Sequence, residues 1–337
     1  MDYVTLGRTG ITVNKNGFGA LPIQRLGVDD TVFLLKKAYE NNITFFDTAR
    51  DYTDSEQKIG IALSGVRDKI VIATKTMAED GDTLRKNLQT SLDMLQTDYI
   101  DIYQSHNRGF CPKPGDNSGI YDAMLEAKAQ GKIRHIGLTN HRLHIAHEAL
   151  ESGLYDTIQY PVSYLTVPDE LEFIRQCIEQ NIGILAMKAL SGGLITNSAA
   201  AYAFLAQFPN VIPIWGIQRE SELDEFIAYQ TSPPILDDEL KRVIALDAKE
   251  LGGEFCRGCG YCMPCPVEID IHNAARMNHL IRRAPRSMWG NPAWQENMKL
   301  IDNCTNCRHC ANHCPYGLDV PKLLRDCWAD YKNFIIE

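Results

Sequence analysis

The chain has 337 residues, of which 45% are hydrophobic and 23% are charged, a composition that excludes a disordered protein. Its formal net charge of −9 argues against a broad nucleic-acid-binding surface. No apolar run approaches the roughly 18 residues that a membrane-spanning helix needs, and the N-terminal "MDYVTLGRTG" lacks the layout of a signal peptide. We therefore expect a cytoplasmic protein that binds neither nucleic acid nor membrane.

After a predicted hairpin at about 3–14, short β-rich runs alternate with stretches of helical spacing. Each run is apolar and β-branched, as a strand buried in a parallel sheet should be. The eight predicted strands are 16–20, 44–49, 69–76, 100–106, 133–140, 156–163, 183–189 and 211–217.

The intervening segments carry helical stripes. One predicted helix, "DDTVFLLKKAYENN", has Asp29 or Asp30 as its expected N-cap and an expected inner side of Val32, Leu35, Lys36 and Tyr39. Another repeats Leu84, Leu88, Leu92 and Leu95. Eight alternations of strand and helix predict an α/β protein, a (β/α)8 TIM barrel. A doubly wound sheet is disfavoured because no G-x-G-x-x-G follows the first strand.

Polar residues stand where a barrel of this type builds its active site, at the C-terminal ends of the strands. Asp47, Lys75 and His106 close predicted strands 2, 3 and 4, and Tyr52 lies in the loop after Asp47. A phenol is a poor acid at neutral pH, but a nearby ammonium such as that of Lys75 stabilises its phenolate. Asp47 would orient Lys75, and His106 would donate a hydrogen bond to a substrate carbonyl. Read singly, Asp47 and Lys75 could be a structural pair and His106 a core histidine, but all four together favour catalysis.

Several short motifs resemble the aldo-keto reductases over roughly residues 3–230. They are "NGFGA", "FFDTARDY", "ATKT", "DIYQSHN", "GLTN", "IQYPVS" and "IPIWG". The resemblance implies an oxidoreductase that reduces a small-molecule carbonyl or a related compound. It also implies that the family's catalytic tetrad maps onto Asp47, Tyr52, Lys75 and His106.

The same resemblance implies a nicotinamide site. Thr139, Asn140 and Gln159 would bond the carboxamide, and Arg219 would meet a 2′-phosphate. The full set of expected cofactor-binding residues is Gly19, Ala20, Thr139, Asn140, Gln159, Met187, Lys188, Gly216, Gln218 and Arg219.

Two positions depart from the family pattern. Met187 stands where many members stack an aromatic ring on the nicotinamide, and Ile214 stands where many carry a lysine. The choice between NAD and NADP therefore stays open, and a flavin is the alternative occupant of the pocket.

Eight closely spaced cysteines lie in the last part of the chain. The run at 304–317 is C-x2-C-x2-C-x3-C-P, the spacing of a bacterial ferredoxin half, and the run at 256–266 is one residue shorter before its last thiol. By analogy, Cys256, Cys259, Cys262 and Cys314 would bind one 4Fe-4S cluster, and Cys304, Cys307, Cys310 and Cys265 a second. Structural zinc is the alternative. The remaining cysteines, Cys111, Cys177 and Cys327, are expected to be buried thiols.

These patterns predict two domains, an aldo-keto reductase-like barrel at 1–250 and a small, α-helical, ferredoxin-like iron–sulfur domain at 251–337. Clusters pass one electron at a time, whereas a nicotinamide or flavin handles two. The fusion therefore predicts electron transfer between the barrel and a ferredoxin-like carrier, for which the basic cluster 281–286 is a candidate docking patch if it is not simply a solvated face. The alternatives are an NAD(P)H-only carbonyl reductase with structural or sensing clusters and a non-catalytic nucleotide-sensing subunit.

Overall fold

The computed structural model describes residues 3–252 and 255–336. The chain forms two compact units, Met1–Ala189 with Ala201–Leu236 and Leu190–Ala200 with Asp237–Glu337. None of the helices in the described ranges combines the length and the apolar character required to cross a bilayer. The predicted division into 1–250 and 251–337 stays a prediction, and its boundary falls at the end of the helix Asp238–Leu251.

The first unit is a closed barrel of eight parallel strands. An antiparallel hairpin, β1 (Tyr3–Thr5) and β2 (Thr12–Asn14), precedes it. The barrel strands are β3 (Gly17–Gly19), β4 (Phe45–Asp47), β5 (Val71–Thr76), β6 (Ile100–His106), β7 (Ile133–Thr139), β8 (Thr157–Pro161), β9 (Gly183–Met187) and β10 (Val211–Gly216). They follow one another around the barrel in chain order, and β10 pairs with β3 to close it. The predicted (β/α)8 barrel is confirmed.

Glycines allow the closing strands to approach each other. A Cβ on Gly17 would lie 2.8 Å from Pro213 O, and one on Gly19 would lie 2.9 Å from Trp215 O. No side chain fits at these distances, so the glycines of "NGFGA" let β3 pair with β10.

The helices of the repeat are α1 (Val28–Glu40), α2 (Ser55–Leu63), α3 (Gly81–Leu95), α4 (Ile120–Ala129), α5 (Leu143–Ser152), α6 (Pro168–Glu179), α7 (Ser198–Leu205) and α8 (Glu220–Thr231). The predicted leucine stripe of α3 is buried, as expected. The prediction for α1 is wrong in two ways. Its N-cap is Gly27, and its buried residues are Thr31, Leu34, Leu35 and Ala38.

The second unit is helical. Its helices are α9 (Asp238–Leu251), α10 (Ile271–Ala274), α11 (Met277–Arg283), α12 (Arg286–Trp289), α13 (Pro292–Lys299), α14 (His309–His313) and α15 (Val320–Tyr331). Helix α15 buries Leu324, Trp328 and Tyr331, and α11 buries Met277 and Leu280. These two helices pack together as the core of the unit.

The arginines of the basic cluster 281–286 are engaged within this unit. Arg282 pairs with Asp330, Arg283 pairs with Asp247 at 2.8 Å, and Arg286 donates to Ile335 O at 3.0 Å. These contacts disfavour the use of the cluster as a docking patch for an acidic carrier.

Candidate active site and cysteine clusters

The candidate catalytic side chains come from adjacent strands. Asp47 ends β4, Lys75 is near the end of β5, and His106 ends β6. The parallel register pairs Lys75 with Gln104 and His106 with Thr139. Because the carboxyl ends of parallel strands meet at one rim of a barrel, the sequence brings these residues to the same place.

Lys75 and Asp47 form a buried ion pair. Lys75 Nζ lies 2.8 Å from both carboxylate oxygens of Asp47 and 2.8 Å from Thr48 O, and the Lys75 residue is only 1% exposed. Burial lowers the pKa of Lys75, and the Asp47 carboxylate opposes that change. The pair therefore holds an ammonium inside the barrel with its three donors satisfied.

Tyr52 and His106 lie beside this pair. Lys75 Nζ is 5.1 Å from the centroid of the Tyr52 ring. The His106 ring meets the Tyr52 ring edge to face, with centroids 6.2 Å apart. Burial lowers the pKa of His106. The structure thus brings together all four residues of the tetrad expected from the sequence, and the arrangement can supply a proton to an oxygen held against Tyr52 and His106.

A hydrogen-bonded amide network joins the tetrad to the next strands. Gln159 Nε2 donates to Asp47 Oδ1 at 3.1 Å, and Gln104 Nε2 donates to Gln159 Oε1 at 3.1 Å. The Thr139 hydroxyl lies 2.9 Å from Gln104 Oε1 and 3.0 Å from Gln159 Oε1. Thr139 and Gln159 were expected to bind a carboxamide. In this network Gln159 contacts Asp47 directly, and Thr139 contacts Gln159.

Sequence reasoning missed Gln104. Its position held a usable signal, because Gln104 is two residues before His106 on one strand and therefore points to the same side of the sheet.

The other expected cofactor residues line the same rim. Ala20 N donates to Asp47 O at 2.8 Å, which joins the residue after β3 to β4. Asn140 is buried, and its side chain donates to Arg108 O at 2.9 Å and accepts from Arg142 N at 2.9 Å. At the end of β9, Met187 and Lys188 are half-buried.

The residues expected at the cofactor phosphates surround the start of α8. Gly216 ends β10 and is exposed. The backbone N–H groups of Gln218 and Arg219 both donate to Glu222 Oε2 at 3.0 Å. The Arg219 guanidinium also binds Glu222, at 2.9 and 2.6 Å, so a 2′-phosphate would have to compete with this carboxylate.

Two acidic residues near Tyr52 were not predicted. Asp51 Oδ2 lies 3.8 Å from His106 Nδ1. Glu56 is buried, pairs with Arg50 and accepts a hydrogen bond from Thr74 Oγ1 at 2.7 Å. Burial raises the pKa of Glu56. The motif "DTARDYTDSE" contains several carboxylates, and only the three-dimensional contacts separate Asp51 and Glu56 from the others.

The second cysteine set of the sequence analysis lines one cavity in the helical unit. Cys265, Cys304, Cys307 and Cys310 all border it, together with apolar side chains such as Ile269 and Leu324. Four thiols around one apolar cavity are a suitable donor set for a 4Fe-4S cluster.

The first set also lies together. Burial raises the pKa of the Cys256 thiol, and Cys259 and Cys314 are close enough to raise it further by charge repulsion. Burial likewise raises the pKa of the Cys262 thiol, and Cys256 and Cys259 are close enough to raise it further. The grouping fits the ligand exchange expected from the sequence.

Buried Arg276 supports the loop that holds these thiols. It donates to Gly192 O at 2.9 Å, and its Cζ lies 2.7 Å from where a Cβ on Gly258 would stand. Across residues 3–252 and 255–336, no group of three or more His, Cys, Asp or Glu could hold a single metal ion. A 4Fe-4S cluster holds its thiols further apart than a single ion does. The absence of a single-ion site therefore does not bear on a cluster site.

Three cysteines lie outside the two sets, and two histidines, His309 and His313, lie within the second cysteine run. Cys111, Cys177 and Cys327 are buried, as predicted. His309 borders the cavity of the second cysteine set, and its ring packs against that of His313 with centroids 4.1 Å apart and the ring planes tilted by 32°.

Comparison with known proteins gives two family matches. The model of the aldo/keto reductase family matches residues 16–200, and that of a 4Fe-4S dicluster domain matches residues 255–319. L-galactose dehydrogenase of Arabidopsis thaliana is 32% identical over 214 residues, which cover 57% of this chain and 66% of that protein, just under two thirds. NADH-specific methylglyoxal reductase of Escherichia coli is 29% identical over 231 residues, covering 59% and 70% of the two chains. An aldo-keto reductase structure from Bacillus halodurans shares the fold, with a TM-score of 0.63 at 22% identity over 73% of this chain and 96% of that one.

Proposed function

Because the chain belongs to the aldo/keto reductase family and carries a 4Fe-4S dicluster domain, we propose that it reduces a small-molecule carbonyl or related substrate in the barrel and exchanges electrons through two clusters. The proposed carbonyl reduction in the barrel rests on the buried Lys75–Asp47 pair beside Tyr52 and His106. The reductase and dehydrogenase names of the Escherichia coli and Arabidopsis relatives support the same chemistry.

In this proposal each member of the tetrad has one task. Tyr52 gives its phenolic proton to the substrate oxygen, and Lys75 stabilises the phenolate that remains. Asp47 holds the ammonium in position, and His106 orients the oxygen. A bound NAD(P)H supplies the hydride.

The proposed cofactor surface is the rim from β3 to β10. Thr139, Asn140 and Gln159 would face the carboxamide, Gly19, Ala20, Met187 and Lys188 would border the nicotinamide side, and Gly216, Gln218 and Arg219 would face the phosphates. The contact of Arg219 with Glu222 supports tolerance of NAD as well as NADP. A flavin is the second candidate occupant, which extraction of the bound cofactor would distinguish.

The cysteine sets supply the second half of the proposal. Cys265, Cys304, Cys307 and Cys310 would hold one cluster, and Cys256, Cys259, Cys262 and Cys314 the other. Each cluster carries one electron at a time, so we assign a ferredoxin-like carrier as the partner. Thiols that ligate clusters suit a reducing compartment, which supports a cytoplasmic location.

Tyr52→Phe tests the catalytic assignment. The variant loses only the acidic oxygen, so cofactor binding should persist while kcat for carbonyl reduction falls by about 10²- to 10⁴-fold. Tyr229→Phe on α8 is the matched control, because it removes a phenolic hydroxyl that donates to the exposed Glu225 at 3.3 Å and leaves the tetrad unchanged. Nucleotide binding by fluorescence and steady-state kinetics on a panel of aldehydes are the measurements. An unchanged kcat in Tyr52→Phe would remove Tyr52 from the mechanism.

A further inference from the structure

His106 has a carboxylate neighbour that the proposed tetrad does not use. Asp51 Oδ2 lies 3.8 Å from His106 Nδ1, which is within ion-pair distance of a protonated imidazole and longer than a hydrogen bond. The Asp51 side chain is 42% exposed, whereas that of His106 is 6% exposed. The contact therefore sets a solvent-reaching carboxylate against one nitrogen of a buried imidazole.

The chain around Asp51 is anchored to the barrel. Burial would raise the pKa of the Asp51 carboxyl, but His106 and the nearby Met77 backbone outweigh burial and lower it. The preceding residue, Arg50, donates its backbone N–H to Lys75 O at 2.9 Å, and its guanidinium pairs with the buried Glu56. The contacts of Arg50 with β5 and α2 thus hold the adjacent Asp51 on the Nδ1 side of His106.

A carboxylate at Nδ1 determines what the other imidazole nitrogen can do. In a neutral imidazole one nitrogen is a donor and the other an acceptor, and the partner of the first nitrogen selects which. With the proton held on Nδ1, Nε2 of a neutral ring can only accept a hydrogen bond. It donates only when the ring is an imidazolium.

We infer that Asp51 is a positioning residue for His106. The Asp51 carboxylate favours the proton on Nδ1 and stabilises the imidazolium that donates from Nε2 to the substrate oxygen. The inference rests on the proposed carbonyl reduction for its chemical role. The charge state and tautomer of His106 do not depend on the proposed reaction, because both can be measured in the protein without substrate.

The groups that face the imidazole act in opposite directions. Burial is the largest influence and lowers the pKa of His106, and the Lys75 ammonium lowers it as well. Asp51 and Asp47 raise it. Tyr52 faces the same ring as a neutral phenol. Asp51 is the largest influence that raises the pKa of His106. Its removal should therefore increase the fraction of neutral imidazole.

Asp51→Asn tests the inference in the protein with selectively labelled histidine. Imidazole nitrogen NMR should show the neutral His106 ring protonated at Nδ1 in the wild type. In Asp51→Asn the pKa of His106 should fall measurably, and in Asp51→Ala the Nδ1 tautomer should lose its preference. Asp54→Asn removes a carboxylate from the same loop that pairs with Lys58, and it should leave the His106 titration unchanged.

Kinetics supply the second measurement. Reduction that needs an imidazolium slows as pH rises through the pKa of His106, so this fall in kcat/KM should move to lower pH in Asp51→Asn. A His106 titration and tautomer identical to those of the wild type in both Asp51 variants would overturn the inference. An inactive wild type with the expected NMR shifts would instead refute the proposed reaction and leave the Asp51–His106 contact intact.

Discussion

Asp156 shows at the scale of one residue how a half-buried carboxylate can support the barrel. It precedes β8, accepts a hydrogen bond from Ile136 N at 2.9 Å and contacts Lys128 Nζ at 3.2 Å. Burial alone would raise its pKa, but the contacts with His135, Ile136 N–H and Lys128 outweigh burial and lower the pKa from 3.8 to about 2. A shift of that size corresponds to about 2 kcal/mol in favour of the folded state when the group is ionised.

The lowered pKa of Asp156 makes the stability of the protein depend on pH. Stability from a depressed carboxyl pKa is present above the unfolded-state value and is lost as pH falls through the folded-state value. We expect Asp156→Asn to lower the free energy of unfolding by about 2 kcal/mol at pH 7, with the difference shrinking as pH falls from about 4 to about 2. Urea unfolding followed by circular dichroism at several pH values measures it. The exposed Asp68→Asn should change stability by less than about 0.5 kcal/mol, and an Asp156 effect independent of pH would contradict the electrostatic account.

Single residues also mark how far the sequence could predict the site. Asp47, Lys75 and His106 were found because each ends a recognisable strand, and strand ends converge in a barrel. Asp51 was missed because nothing in "TARDYTDSE" distinguishes a carboxylate aimed at His106 from one aimed at solvent. That distinction depends on the conformation of the loop, which Arg50 anchors through the hydrogen bond from its N–H to Lys75 O of β5.

At the scale of elements, the strands and most helices could be predicted because their periodicity is strong. The α1 prediction failed because the stripe of Thr31, Leu34, Leu35 and Ala38 has the same spacing as the predicted stripe one residue later. A shift of one residue turns a helix by about 100°, so the wrong register exposes a different face. Thr31 and Ala38 are small and only weakly hydrophobic, so the buried face of α1 differs little in hydrophobicity from the neighbouring face. The sequence pattern therefore does not distinguish the two faces.

Helix packing in the barrel gives an element-scale prediction. A Cβ on Gly60 of α2 would lie 2.3 Å from Met94 O and 2.9 Å from Leu95 C of α3. Because backbone atoms cannot move aside alone, Gly60→Ala should force the two helices apart and lower the free energy of unfolding by about 1–3 kcal/mol. A Cβ on Gly65, just after α2, would have no heavy atom within 4 Å. Gly65→Ala should therefore be neutral in the same thermal and urea unfolding measurements, and equal losses in both variants would contradict the packing account.

At the scale of the whole molecule, the proposed function requires the two units to handle electrons in different numbers. Hydride chemistry in the barrel moves two electrons together, whereas each cluster accepts one. In the proposed function, the two clusters store the electron pair between the one-electron carrier and the two-electron chemistry of the barrel. The C-x2-C-x2-C spacing predicts three neighbouring thiols in each set. The fourth member was expected by analogy with ferredoxins, because it depends on how the two runs fold together.

Replacing one proposed cluster ligand tests whether the clusters deliver electrons to the barrel. Cys304 borders the cavity shared by the second set, so Cys304→Ser should lower bound iron and acid-labile sulfide. It should abolish substrate reduction driven by reduced ferredoxin or a one-electron dye, while hydride transfer from NAD(P)H suffers less because the tetrad is untouched. Cys327→Ser is the matched control, a buried thiol of the same unit whose Sγ contacts Asn278 Oδ1 at 3.4 Å.

The outcomes separate the three roles that the clusters could have. Retained dye-driven turnover in Cys304→Ser, with its iron lost, would leave the clusters structural or sensing and the barrel a reductase that uses NAD(P)H alone. Loss of both activities together with unfolding of the helical unit would require comparison at a temperature where circular dichroism shows the variant folded. Zinc without sulfide in anaerobically prepared wild type would remove the electron-transfer role altogether, because zinc has no redox chemistry in proteins. Electron transfer predicts the remaining combination, in which iron and dye-driven turnover fall together while NAD(P)H oxidation by the same preparation continues.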